Sequence, residues 1–262
     1  MPLLPSTVGL AGLLFWAGQA VNALIMPNAT PAPAQPESTA VRLLSGLEVP
    51  RYRWKRHISG RDMNALLDYH NHIRASAYPP AANMEYMGIS LPFFPSVWDK
   101  QLARAAEAWA TQCIWAHGPS QLMRYVGQNL SIHSGQYRSV VDLMKSWSEE
   151  KRHYLFPAPR DCNPHCPWRC NGPTCSHYTQ MVWASSNRLG CAIHTCSSIS
   201  VWGNTWHRAA YLVCNYAIKG NWIGEAPYKV GRPCSACPPS YQGSCNSNMC
   251  FRGLKSNKLM WF

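Results

Sequence analysis

The sequence predicts an α+β fold, in which helices come first along the chain and strands follow. Apolar residues recur at helical spacing in three stretches between residues 59 and 152. Three β-rich runs, separated by turn residues, follow between residues 178 and 217. A group of helices followed by a group of strands is typical of an α+β domain.

The first helix is predicted to begin at Ser59, where Asp62 three residues later completes a capping-box pattern. It contains the run His70-Asn71-His72, and the prolines at 79 and 80 end it because proline cannot continue a helix. Its apolar face consists of Met63, Leu66, Leu67 and Ile73.

Two further helices are predicted from the same periodicity. One begins near Trp98, and its end delivers His117; the other runs from about Ser139 to Arg152 and carries Glu150 near its end. The apolar stripe of the first consists of Leu102, Ala105, Ala106, Trp109, Ala110, Cys113 and Ile114. The inward face of the other consists of Val140, Leu143, Met144 and Trp147.

The predicted strands are Tyr178–Trp183, Leu189–Cys196 and Ala210–Ala217, and His177 lies at the start of the first. Cysteines lie beside or inside these runs, so we expect disulfides to join strands into one sheet. A loop rich in proline and glycine precedes them and holds Cys162, Cys166, Cys170 and Cys175.

A small tail after Pro227 carries Cys234, Cys237, Cys245 and Cys250. It has almost no apolar residues for a core, so we expect disulfides to hold it. A Cys-x-x-Cys pair also suits zinc, but disulfides are favoured in a secreted chain.

The N-terminus and the composition predict a secreted protein. Residues 1–23 read as a signal peptide with an apolar stretch and a cleavage site at Val21-Asn22-Ala23. Twelve cysteines among 262 residues suit an oxidising compartment. No later stretch predicts a transmembrane segment. The net charge of +12 comes without a Lys/Arg block, so we expect no nucleic acid partner.

Residues 24–56 have the composition of a disordered pro-segment, rich in Pro, Ala, Ser and Thr. The run Arg53-x-Lys55-Arg56 fits the preference of secretory-pathway convertases and predicts cleavage after Arg56. Glycosylation sequons lie at Asn28 and Asn129.

Four motifs together resemble the CAP superfamily, which includes cysteine-rich secretory proteins, insect antigen five and plant pathogenesis-related proteins. The two longer motifs are His177-Tyr-Thr-Gln-Met-Val-Trp183 and Tyr211-Leu-Val-Cys-Asn-Tyr216 with Gly220-Asn-Trp222. The shorter ones are His70-Asn71 with Arg74, and Gly127-Gln-Asn129. The run from Pro80 to Met87, the cysteine-rich loop and the tail are most similar to the secreted trypsin-inhibitor branch.

The resemblance implies an α-β-α sandwich with a three-stranded antiparallel sheet between helices. It places the CAP domain at residues 57–230 and a disulfide-held, hinge-like tail at 231–262. It also implies the bridges Cys113–Cys196, Cys191–Cys214, Cys234–Cys245 and Cys237–Cys250, and leaves the pairing of the four loop cysteines open. Gly88–Ser96 is expected to be an insertion relative to that branch.

Family members often line a cavity with two histidines and two acidic residues. The matching positions here are His117, Gln128, Glu150 and His177, so one acid is replaced by an amide. Two imidazoles with Glu150 nearby suit weak binding of a divalent cation such as zinc. Alternatively, His117 and His177 are hydrogen-bonded structural residues, and no cofactor is required.

The motifs of common hydrolases are missing and each cysteine has a plausible partner, so we expect no enzyme. The resemblance implies a serine protease inhibitor acting on a trypsin-like protease, with Arg169 as the candidate contact residue and Arg160 second. Either arginine is also compatible with an ordinary solvated charge. The alternative is an extracellular binding module for sterol or lipid, divalent metal or a protein partner, for which Phe93, Phe94 and Trp98 supply apolar surface.

Overall fold

The computed structural model describes residues 58–88, 98–135, 139–156, 174–241 and 244–251. These ranges all belong to the unit Gln35–Phe262. Several predictions of the sequence lie outside them: the signal peptide, the pro-segment and its cleavage at Arg56, the sequon at Asn28, most of the expected insertion with Phe93 and Phe94, Arg160 and Arg169, and Cys162, Cys166 and Cys170.

Within the described ranges, the domain contains five helices and a three-stranded sheet. The helices are α1 (Gly60–Ala75), α2 (Lys100–Ala110), α3 (Ser120–Met123), α4 (Val140–Glu149), continued by a 3-10 turn (Glu150–His153), and α5 (Ser176–Met181). The sheet strands are β1 (Gly127–Ser134), β2 (Arg188–Val201) and β3 (Asn204–Ala217). A 3-10 turn (Pro239–Tyr241) and the strands β4 (Cys245–Asn246) and β5 (Met249–Cys250) form the tail.

The predicted helix starts are confirmed because their signals are local. Ser59 and Asp62 form both hydrogen bonds of the capping box, Ser139 does the same with Asp142, and the Asp99 carboxylate caps α2. The α2 stripe ends earlier than predicted, at Ala110. The chain turns away at Cys113, which has φ 53° and bonds to Cys196, and Ile114 is 44% exposed.

The sheet lies between two layers of helices, as the α-β-α sandwich requires. Its order is β1-β3-β2 and every pairing is antiparallel, so β3 is the central strand. Residues Leu212 and Tyr216 pack with α1 and α4 on one face, whereas Tyr211 and Val213 pack with α2 on the other. Because both faces of β3 are covered, Ala209–Ala217 is buried throughout.

The stretch Tyr178–Trp183 was predicted as a strand and is instead the short helix α5 with its following turn. Its alternating pattern suggested one buried face, but Tyr178, Thr179, Gln180 and Met181 are all buried. Burial on every side is compatible with a helix as readily as with a strand, and short apolar runs do not distinguish them. The third strand of the sheet is β1, which contains the Gly127-Gln128-Asn129 motif.

The tail is held by the disulfides Cys234–Cys245 and Cys237–Cys250, as expected, and it also packs onto the domain. Met249 is 1% exposed and packs with Met84 and Tyr178. Backbone hydrogen bonds join Cys250 and Ala236 to the segment that follows α1: Cys250 N to Met84 O, Tyr86 N to Cys250 O and Ala236 N to Ala82 O.

Four disulfides connect these elements: Cys113–Cys196, Cys191–Cys214, Cys234–Cys245 and Cys237–Cys250. They are the four pairings that the resemblance implies. Cys191–Cys214 joins β2 to β3, as expected of cysteines inside paired strands. Within the described ranges, no helix has the length and hydropathy that a bilayer crossing requires.

Arg74, near the end of α1, is 1% exposed and every one of its N–H donors is used. The guanidinium donates five hydrogen bonds, at 2.6–3.1 Å, to the carbonyl oxygens of Glu85, Met181, Trp183 and Ala184. The Glu85 side chain balances the charge and accepts from Asn187 and Tyr241. One buried cation therefore joins α1, the segment after it, the end of α5 and the tail.

A second buried chain of hydrogen bonds begins at His70. Its Nδ1 donates to the carbonyl of Leu66 at 2.7 Å, because a carbonyl only accepts. Its Nε2 therefore accepts from the hydroxyl of Tyr216 at 2.8 Å, and Asn129 Nδ2 donates to that hydroxyl at 3.2 Å. Burial lowers the pKa of His70 to about 4, so the ring is neutral near pH 7.

We expect His70 to make the domain sensitive to acid. Its pKa is lower in the folded than in the unfolded chain, so its stabilising contribution is complete above pH 6.5 and lost as the pH falls toward about 4. The loss amounts to about 3 kcal/mol. Denaturant unfolding of the disulfide-intact protein between pH 4 and 7.5 measures it.

The matched variants are His70→Gln, which removes the titrating ring, and His72→Gln, which removes an exposed ring on the same helix. The pH-dependence should flatten in His70→Gln and persist in His72→Gln. An unchanged slope in His70→Gln would contradict the assignment.

Candidate functional site

The candidate cavity residues form two hydrogen-bonded pairs, and the first is His117 with Gln128. Gln128 Oε1 accepts from the backbone N–H of Gly118 at 3.0 Å, which identifies this atom as the amide oxygen. His117 Nδ1 lies 3.0 Å from the same oxygen and therefore donates to it. The imidazole is held with its Nε2 as the unprotonated nitrogen.

The second pair is His177 with Glu150. His177 Nδ1 lies 2.6 Å from Glu150 Oε1, and Oε2 of the same carboxylate accepts from the backbone N–H groups of His177 and Tyr178 at 3.0 and 3.1 Å. Glu150 thus caps the first turn of α5 and orients the imidazole. The ring also stacks on Trp147, with centroids 6.1 Å apart.

Gln128 belongs to a chain of amides that continues into the core. Its Nε2 donates to Asn215 Oδ1 at 2.9 Å, and Asn215 Nδ2 donates to the carbonyl of Leu102 at 3.1 Å. A glutamate at 128 would place a carboxylate oxygen, which only accepts, against the Asn215 side-chain oxygen, which also only accepts. Rotating the Asn215 amide would bring its nitrogen toward residue 128, but its hydrogen bond to the Leu102 carbonyl would then be lost. The Gln128 amide therefore matches Asn215, because its nitrogen supplies the donor that the Asn215 oxygen accepts.

The glycine before Gln128 is explained by the same part of the fold. A Cβ at Gly127 would lie 2.1 Å from Gln180 Oε1. That oxygen accepts from the backbone of Gly220, and Gln180 Nε2 donates to Ser186. The motif glycine thus lets β1 approach α5 closely enough to bring His117 and His177 into one region.

The electrostatics of the region favour a neutral His117. Burial is the main cause that lowers the pKa of His117, the hydrogen bond that His117 donates to Gln128 opposes this effect, and the electrostatic influence of His177 and Lys219 lowers the pKa further. A carboxylate at 128 would act in the opposite direction. Replacing that acid by an amide therefore removes the negative charge that would favour either a proton or a cation on His117.

The described residues offer a divalent metal two imidazoles and little else. Glu150 is occupied as a helix cap, and Gln128 is occupied by His117, Gly118 and Asn215. Among the described residues, the one group of three or more His, Cys, Asp or Glu ligand atoms within 4.8 Å of one another is Cys234, Cys237 and Cys250, and these are disulfide-bonded. Zinc sites use three or four protein ligands, so the set falls short of a strong site.

Asn129, which carries the second sequon, is buried, and its side-chain nitrogen is hydrogen-bonded within the fold. The residue is 1% exposed, and its Nδ2 donates to the carbonyl of His177 at 3.0 Å and to the hydroxyl of Tyr216. A glycan would be attached to this same nitrogen. The sequon is a local pattern, whereas the burial results from pairing with distant segments.

The candidate inhibitory residues Arg160 and Arg169 lie in residues 157–173, outside the described ranges. Both flanks of that segment are described. On one side, Phe156 stacks on Tyr228 with centroids 4.8 Å apart, and Tyr154 packs on Tyr178. On the other, Cys175 is fully buried and disulfide-bonded.

Restoring the acid should strengthen metal binding. We expect Gln128→Glu to bind Zn²⁺ at least about tenfold more tightly than the wild-type protein, because a carboxylate partner makes the His117 imidazole a better ligand. Calorimetric titration measures both affinities. The double variant His117→Ala/His177→Ala in the Gln128→Glu background is the control and should lose the gain. Equal affinities of wild type and Gln128→Glu would contradict this account.

Known proteins share this architecture and much of the sequence. The chain is 91% identical over 262 residues to "Peptidase inhibitor R3HDML" of Homo sapiens, with 100% of both chains covered. It is 62% identical over 219 residues to "Peptidase inhibitor 15" of Homo sapiens, covering 84% of this chain and 81% of that one. The solved structure "Crystal structure of NaASP2 with Zn2+" matches with a TM-score of 0.55 and 25% identity, covering 73% of this chain and 96% of that one.

The match to a family rests on the same elements that build the cavity. Residues 67–216 match the family described as "CAP: Cysteine-rich secretory protein family". This range begins in α1, ends in β3 and includes all four cavity residues. With its α-β-α sandwich, its four motifs and its disulfides, the chain belongs to the CAP, or cysteine-rich secretory protein, family.

Proposed function

We propose that this protein is a secreted, non-enzymatic inhibitor of a trypsin-like serine protease. The observation that carries the proposal is the 91% identity, over the full chain, to a relative named as a peptidase inhibitor. The details of protease class and contact residue rest on the chemistry of the cysteine-rich segment and on the way its flanks are held.

An inhibitor needs an exposed side chain on a backbone that is fixed before binding. Residues 157–173 follow Phe156, which stacks on Tyr228, and precede by one residue the buried, disulfide-bonded Cys175. Tyr228 is itself 4% exposed, so the first anchor is firm. Anchoring both ends reduces the conformational entropy that the segment loses on binding a protease.

The residue chemistry within the segment favours a trypsin-like partner. Arg169 lies between Cys166 and Cys170, and Arg160 lies near the start of the segment. A guanidinium complements the carboxylate at the base of a trypsin-type specificity pocket, where two parallel hydrogen bonds form. We assign Arg169 as the first contact and Arg160 as the second.

The cavity supports a non-enzymatic role. Its imidazoles contact a side-chain amide and a carboxylate through Nδ1, as in catalytic triads. Within the described ranges, however, no hydroxyl or thiol is hydrogen-bonded to either ring, and no described cysteine carries a free thiol. A covalent mechanism pairs a histidine with a hydroxyl or thiol nucleophile. In this proposal the cavity residues stabilise the scaffold, because their hydrogen bonds connect β1, α5 and the end of α4 to neighbouring segments.

The proposal includes processing and export. Cleavage after Arg56 would place the new N-terminus at His57, two residues before the Ser59 cap of α1. The described domain would then begin intact, because the capping box lies wholly on the C-terminal side of the cut. The four disulfides of the described ranges suit an oxidising compartment.

Inhibition of trypsin should depend on Arg169. Replacing it by alanine removes the charge that enters the specificity pocket, so we expect the inhibition constant to rise at least about a hundredfold, as for a central hot-spot residue. Arg160→Ala should have a smaller effect. The measurement is residual trypsin activity against inhibitor concentration, with convertase-processed, disulfide-intact protein.

Two controls make the test specific. Arg124→Ala removes an exposed arginine of the described domain, outside the segment, and should leave inhibition unchanged. Chymotrypsin, whose pocket is apolar, should be inhibited far less than trypsin. Equal inhibition of trypsin by wild type and Arg169→Ala would remove the assignment, and no inhibition by the wild type would overturn the proposed function.

A further inference from the structure

The turn between β2 and β3 carries an exposed tryptophan, Trp202. β2 ends at Val201 and β3 begins at Asn204, so Trp202 and Gly203 form a two-residue hairpin turn. The side chain of Trp202 is 79% exposed. A single exposed apolar side chain needs no explanation by itself, but the backbone, the ring contacts and the surroundings of this one are all unusual.

The backbone of the turn disfavours a bulky residue. Trp202 has φ 49° and Gly203 has φ 85°, so both residues lie in the left-handed region. Turns of this kind favour Asn or Asp followed by Gly, whereas a large side chain is disfavoured at positive φ. The indole therefore destabilises the turn and gains little burial in return. A strained residue that stays exposed indicates a role in contact with another molecule.

Ring contacts fix the orientation of the exposed indole. Trp202 and Trp115 are arranged edge to face, with centroids 5.9 Å apart and ring planes at 89°. Trp115 packs in turn on Tyr211, also with centroids 5.9 Å apart. Tyr211 is fully buried, and its hydroxyl donates to the carbonyl of Ile114 at 2.9 Å. A row of three rings thus connects the surface to the core, so Trp202 loses little conformational entropy when a ligand binds.

The surroundings of the indole lack charged side chains. The chain has 24 Lys and Arg and 12 Asp and Glu, yet residues 197–206 at the hairpin tip and residues 108–123, which include Trp115, contain none of these four types. Exposed Asn204 and Thr205 offer neutral donors and acceptors beside the turn. A nucleic acid or an acidic membrane surface would need lysines or arginines there. The surroundings therefore favour a neutral ligand.

A neutral sugar has the chemical properties that this surface matches. The faces of an indole ring carry partial negative charge, and the axial C–H groups of a pyranose with equatorial hydroxyls are weakly positive. When these groups meet, the hydroxyls of the sugar lie around the rim of the indole. We propose that Trp202 binds a neutral oligosaccharide, with one pyranose ring stacked on the indole and hydroxyls hydrogen-bonded to Asn204 and Thr205.

The test uses the full, disulfide-intact protein and two neutral probes, cellohexaose and chitohexaose. Both consist of β-1,4-linked pyranoses with equatorial substituents. Isothermal titration calorimetry should show saturable binding of each probe. Saturation-transfer NMR should show the strongest transfer to the ring C–H protons, because these lie against the indole.

The decisive variant is Trp202→Asn. It removes the stacking surface, so binding of both probes should weaken at least about tenfold. Asparagine suits the left-handed turn, so the melting temperature should be equal to or higher than that of the wild type. A purely structural role of Trp202 would instead lower the melting temperature. Trp202→Tyr keeps an aromatic face and should retain most of the binding.

Trp222→Asn is the matched control, since Trp222 is 47% exposed and follows the other end of β3, Ala217. It should bind both probes as the wild type does.

Four outcomes would overturn the proposal: no saturable binding of either probe, equal binding by Trp202→Asn, equal weakening in Trp222→Asn, or a wild-type dimer that Trp202→Asn dissociates in sedimentation velocity. The last result would show that a second copy of the chain covers Trp202. The proposal is independent of the proposed function, since Trp202→Asn should inhibit trypsin as the wild type does.

Discussion

The domain depends on one buried cation, the guanidinium of Arg74. A charge removed from water destabilises a fold unless every donor finds an acceptor, and here five N–H groups meet four carbonyls in two separate segments. The acceptors at Met181, Trp183 and Ala184 belong to a short helix end and turn. The backbone N–H groups of Ser186 and Glu85 donate to the carbonyls of Trp183 and Ala184. Arg74 adds a donor to each of these two carbonyls and supplies one to Met181. Because Glu85 links the same cation to Tyr241, the position of the tail depends on it too.

The geometry of the candidate site depends on these hydrogen bonds of Arg74. α5 is held at its end by Arg74 and at its start by Glu150, and His177 lies between them on the first turn. The other imidazole is held through Gln128 and Asn215, which connect it to β3 and α2. Within the described ranges, no buried side-chain nitrogen or oxygen lacks a hydrogen-bond partner. The polar interior therefore stabilises the scaffold that also holds the two flanks of residues 157–173, Phe156 and Cys175.

Local signals in the sequence predicted the helices, and distant contacts decided what it missed. Ser59 with Asp62 and the part of the α2 stripe from Leu102 to Ala110 need only neighbours within one or two turns, so these predictions are confirmed. The run that follows Cys175 is helical because Glu150 and Arg74 bind its two ends, and neither contact is visible from its own alternation. The strand β1 was missed because its pairing partner β3 lies about eighty residues later. The cavity positions came from motifs, whereas the structural reason for an amide at Gln128 is its hydrogen bond to the distant Asn215. The burial of Asn129 likewise depends on His177 and Tyr216, which are distant in the sequence.

Hydrogen exchange of the Arg74→Lys variant tests the central role of this cation most directly. Lysine keeps the charge but has three donors on one atom, so it cannot serve four carbonyls in a plane. The account predicts much faster exchange at the amides of Glu85, Ala184 and Ser186 and in the tail at Cys250, while the amides of Leu212–Cys214 in the central strand stay protected. Exchange at all of these amides at the wild-type rate would contradict it.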